Sequence, residues 1–108
     1  KETLTATAID TTGYGTIVFT YSRKTDDTNS PPQVIGSQTL IVDYSVNGGT
    51  SWTTLETVTG ESNWTTKTFS LSPSADNKVN IKVRSTLIGQ DATNHAYIDN
   101  VAVTGVSL

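Results

Sequence analysis

Neither cysteine nor methionine occurs in this 108-residue chain, and histidine occurs once. Without thiols there is no disulfide framework, no cysteine zinc site and no thiolate nucleophile. Charge is scarce too: acidic and basic residues make up 16% of the chain, against about a quarter in an average globular protein. The Lys and Arg side chains are scattered singly and the net charge is −3. A nucleic-acid partner needs a basic stripe to displace counterions, so that class is not expected. Membrane attachment is not expected either. There is no polybasic or amphipathic segment, and no apolar run approaches the roughly 20 residues of a transmembrane helix. Glycine-rich phosphate loops are missing. The one histidine, His95, sits in no recognisable nucleophile motif, so Ser-His-acid chemistry has no carrier, and no pair of acids is marked for glycoside hydrolysis. A surface role at a strand entry is the better reading of His95.

What fills the chain instead is threonine, serine, asparagine and β-branched apolar residues, a composition that fits strands better than helices or disorder. Threonine is spread through the whole chain without a repeating ladder, so β-propensity accounts for it better than a flat ice-binding array. The length predicts one domain, residues 1–108. Alternation of period two recurs throughout. Leu4, Ala6 and Ala8 alternate with Thr up to a turn at 10–13, and Ile17, Phe19 and Tyr21 alternate with Val18, Thr20 and Ser22. A long loop is predicted over 25–37, because Pro31-Pro32 cannot sit inside a paired strand. Leu40, Val42, Tyr44 and Val46 share a face, followed by the hairpin signal Asn47-Gly48-Gly49. Strands are predicted from Trp52 to Val58 and from Trp64 to Leu71, with a turn at 73–77. Val79, Ile81 and Val83 alternate with polar residues, and the last strand runs from Ala96 to Val103. Seven or eight strands at this spacing predict an all-β, two-sheet antiparallel β-sandwich.

Ser45-Val-Asn47-Gly-Gly49-Thr-Ser-Trp52 resembles the Asp-box hairpin, with Asn47 in the Asp position. Asn47 is expected to bond its own turn, and Trp52 to fold back over it; hairpin packing is preferred over a sugar-stacking role for Trp52. Trp64 starts a strand at a loop edge, where it either caps the core or offers a ligand platform. Asp99 and Asn100 interrupt an otherwise apolar final strand, and a carboxylate buried there would need hydrogen bonds, a cation or a metal. Two acidic loops, Asp26-Asp27-Asn29 and Asp91-Asn94, have calcium-like oxygen spacing, but a solvated loop is the simpler account.

Taken in order, Ile9 to Tyr14, Ile17 to Tyr21, Val42 to Trp52, Asn63-Trp64 and Tyr97 to Val101 resemble the MAM-like and galactose-binding-like jelly-roll modules of bacteria, over nearly the whole chain. Such modules are appended to secreted glycoside hydrolases, peptidases and large surface proteins. The resemblance implies a jelly roll and a structural Ca²⁺ held by Asp99 and an N-terminal acid, for which Glu2 is the candidate. It also implies a secreted or cell-surface location, within a larger chain. The expected function is non-catalytic carbohydrate binding to a polysaccharide or glycan. Tyr14, Trp64 and Tyr97, with Tyr21 as a further aromatic, would stack on sugar faces. A structural or adhesive spacer with no small ligand is the alternative.

Overall fold

A computed structural model describes residues 2–5, 9–27, 38–60, 62–88 and 94–108. It is all-β: β1 (Glu2–Thr5), β2 (Tyr14–Asp27), β3 (Thr39–Ser45), β4 (Thr53–Thr59), β5 (Ser62–Ser70), β6 (Lys82–Ile88) and β7 (Asn94–Ser107). They form a four-stranded sheet of order β1-β6-β3-β4 and a three-stranded sheet of order β5-β2-β7. Every pairing is antiparallel. The two sheets enclose Ile17, Phe19, Tyr21, Leu40, Val42, Leu71, Ala75, Ile81 and Val83, which is the arrangement of a β-sandwich.

Strand β2 shows the alternation in its cleanest form. Ile17, Phe19, Tyr21, Arg23 and Thr25 are buried, whereas Val18, Thr20 and Lys24 are only partly covered; Ser22, though on the outward side, is buried as well. The expected loop therefore begins later than its composition indicated. Thr25 is buried and its hydroxyl donates to the Gly60 carbonyl at 2.7 Å, and β2 continues to Asp27, opposite Asn94. Asp26 and Asp27 thus belong to a strand backbone and not to an open calcium loop; Asn29 and Asp91 lie outside the described residues, as do Ala6, Ala8 and the Pro-Pro pair. Val79 also departs from expectation. It is 72% exposed, because β6 starts only at Lys82 after an isolated bridge between Ile9 and Ile81. The last strand runs four residues further than Val103, to Ser107.

The Ser45–Trp52 hairpin folds as its residues require. Asn47 Oδ1 accepts the Ser51 N–H at 3.0 Å, and Ser45 Oγ accepts the Gly49 N–H at 2.9 Å. Gly48 and Gly49 take φ of 73° and 97°, conformations that would strain any side chain. A Cβ placed on Gly49 would lie 3.4 Å from the Trp52 ring. The ring's other partner is the Arg84 guanidinium, 4.0 Å from the ring centroid, itself held by Asp43 Oδ2 at 2.9 Å. Trp52 is thereby committed to packing.

The sheets are joined by a buried polar knot. Tyr21 Oη donates to Glu56 Oε1 at 2.6 Å, and Arg23 Nε donates to the same oxygen at 3.0 Å. Arg23 Nη1 donates to Ser62 Oγ at 2.8 Å. Arg23 and Glu56 side chains are each nine-tenths buried. Burial pulls the Glu56 carboxyl upward, but the hydrogen bonds from Arg23 and Tyr21 and the guanidinium charge outweigh it and hold it below its ordinary value. Burial, reinforced by the Glu56 bond and charge, pushes the Tyr21 phenol well up. Truncating one partner strands a buried charge, so Glu56→Ala is expected to cost about 3 kcal/mol in urea unfolding. The contribution of Glu56 is complete above about pH 4.3, its unfolded value, and is lost as pH falls through the lower folded value. That of Tyr21 runs the other way, being complete below about pH 10 and lost on further rise. Unfolding curves measured across pH should therefore show the gap between wild type and E56A closing in acid; a constant gap would mean that the ion pair contributes nothing.

Candidate functional site

The outward residues of the three-stranded sheet arise directly from the period of two. Ser22 on β2 pairs with Thr66 on β5 and with Asp99 on β7; Thr20 pairs with Thr68 and Ala102; Lys24 pairs with Tyr97. On the β5 side, Arg23 pairs with Thr65 and Thr25 with Ser62, so Asn63 and Trp64 together face Lys24. Counting in twos from Thr68 and Thr66 places Trp64 opposite Lys24, on the same face as Tyr97. Their ring centroids are 6.3 Å apart with planes inclined at 43°, and His95, two residues before Tyr97, lies 6.2 Å from the Tyr97 ring at 29°. Trp64 is 53% exposed and Tyr97 41%. Aromatic pairs at this spacing attract one another modestly, so the three rings form one exposed aromatic surface. Next to it run hydroxyls tied to one another, Ser22 to Thr66 at 3.0 Å and Thr20 to Thr68 at 3.4 Å.

No family model, curated protein or solved structure matches this chain. The site is therefore read from its own chemistry.

Of the aromatics expected to stack on sugars, the fold brings together Trp64 and Tyr97 and separates Tyr14. Tyr14 is 46% exposed, but it begins β2 opposite Ser107. Ten strand residues, roughly 30 Å, separate it from Lys24. Tyr21 cannot stack on any ligand: it is 1% exposed and belongs to the core. His95 was the residue that pattern reading missed as a member of the cluster. Its spacing of two from Tyr97 placed them on one face, but the β2 pairing that draws in Trp64 left no mark in the sequence.

Asp99 is not the buried carboxylate that an apolar strand foretold. It is exposed on the outer face, and its Oδ1 accepts the Asn100 N–H at 2.8 Å. Asn100 takes φ 53° where the β2–β7 register slips between Thr20 and Ser22. Asp99 and Asn100 thus mark a β-bulge, where an extra residue must be accommodated and Asn tolerates the left-handed conformation. Glu2 lies on β1 of the opposite sheet, opposite Leu87, and its side chain is outside the described residues. Calcium requires roughly six to eight oxygens. Among the described residues no group of three or more His, Asp or Glu side chains converges.

Because the cluster sits on the solvent side of a sheet whose core is elsewhere, Trp64→Ala and Tyr97→Ala are expected to lower stability by no more than about 1 kcal/mol each, the range of cross-strand aromatic pairs. Acrylamide quenching separates the two tryptophans. The W52F protein, retaining Trp64, should be quenched readily, and the W64F protein, retaining Trp52 beneath Arg84, should resist. The reverse order would mean that Trp64 is covered.

Proposed function

We propose that this chain is a non-catalytic carbohydrate-binding module of a secreted or cell-surface protein, and that it holds glycan on the outer face of the β5-β2-β7 sheet. One observation carries the reading: Trp64 and Tyr97, from two strands that do not touch, stand side by side and exposed. Exposed aromatics held in one place are costly to leave in water and are suited to the C–H faces of pyranose rings. The adjoining Thr66, Thr20 and Thr68 hydroxyls both donate and accept, as sugar hydroxyls require. The same reading takes the sandwich as a jelly roll. In support, the chain crosses from one sheet to the other at every connection except β3–β4.

Glycan-array screening followed by calorimetry tests the proposal. Binding is expected to fall about tenfold or more in W64A and in Y97A, the loss typical of truncating an aromatic anchor. Tyr14→Ala, at the far end of β2, should bind as wild type does. Absence of binding to every glycan would sink this reading and leave the spacer role.

A further inference from the structure

Taking the sheet-face site as a glycan site, we infer that its ligand is a single soluble polysaccharide chain whose successive sugar faces are turned relative to one another, and not the flat surface of a crystalline polysaccharide. The inference rests on the proposal above and on the geometry of the rings.

A crystalline glycan presents its exposed pyranose faces in one plane. A module that binds it must offer aromatic planes that are coplanar, since a ring inclined to that surface meets it only along an edge and loses most of the contact area that apolar association depends on. Here the Trp64 and Tyr97 planes are inclined at 43°, and Tyr97 and His95 at 29°. No single flat surface lies against both Trp64 and Tyr97. Nor are the rings free to level themselves. Tyr97 stands with Trp64 at 6.3 Å and His95 at 6.2 Å between centroids, both within the distance at which aromatic rings pack. Flattening one ring would pull it from its neighbours.

The right-handed twist of the sheet adds to this. Adjacent strands rotate by roughly 20–25°, and Trp64 and Tyr97 stand on β5 and β7 with β2 between them. The two rings thus start from strands that are themselves rotated relative to one another. A chain with turned residues, such as an α-1,4-glucan or a β-1,3-glucan, offers consecutive sugar faces at an angle. It can lay one ring on Trp64 and a neighbouring ring on Tyr97. Its hydroxyls then fall over the Ser22–Thr66 pair beside the cluster.

The test compares four probes with the intact protein: soluble amylose, laminarin, microcrystalline cellulose and crystalline chitin. The expected result is retention in amylose or laminarin affinity gels. W64A and Y97A should each lose about tenfold in affinity, as for other aromatic anchors, and depletion by cellulose and chitin should be no greater than for the double variant W64A/Y97A. Depletion by a crystalline polysaccharide that depends on Trp64 and Tyr97, and that soluble chains do not compete away, would overturn the inference while leaving the carbohydrate-binding reading intact. Retention by none of the four, together with an empty glycan array, would remove the reading on which the inference rests.

Discussion

Arg23 and Glu56 meet across the interior of the sandwich, and the placement of nearly everything else on the three-stranded sheet depends on their doing so. Arg23 belongs to the central strand of one sheet and Glu56 to the edge strand of the other. A charge pair removed from water is tolerated only with close geometry and further hydrogen bonds. Tyr21 and Ser62 supply those bonds. A slip of β2 by one residue would turn Arg23 to solvent and Lys24 inward, leaving Glu56 buried and alone. The ion pair thus ties the register of β2 to the opposite sheet.

That register has consequences on the opposite face. With Tyr21 and Arg23 inward, Ser22 and Lys24 must point out, and their partners on β5 and β7 follow them. Trp64, two residues before Thr66, falls in line with Lys24 and Tyr97 by the same alternation. The bulge at Asn100 restores the alternation so that Ala102 again points outward and Val103 packs on the core. The aromatic cluster is therefore a product of the register of β2 with its two neighbours. Bulges commonly re-aim side chains near binding sites.

Trp52 and Trp64 show how the same residue type is spent in opposite ways. Trp52 is enclosed by a glycine turn on one side and by the Asp43–Arg84 pair on the other. Its ring is thereby partly covered and held against the hairpin. Trp64 has Tyr97 for company but no layer above it among the described residues. Burial, and not identity, separates a packing aromatic from a candidate binding one.

Composition and period alone determined that the chain is all-β with antiparallel strands. Alternation such as Ile17-Phe19-Tyr21 has no other economical use, and Asn47-Gly48-Gly49 closes a hairpin by local torsion preferences. These are properties of a few neighbouring residues, so they are legible from order alone. Tertiary structure decided the rest. The burial of Thr25, the exposure of Val79, the bulge role of Asp99 and Asn100, and the meeting of Trp64 with Tyr97 all depend on which strands pair and with what offset. Those offsets are set by contacts between residues tens of positions apart, such as Arg23 with Glu56. Such contacts leave no periodic trace in the sequence that encodes them.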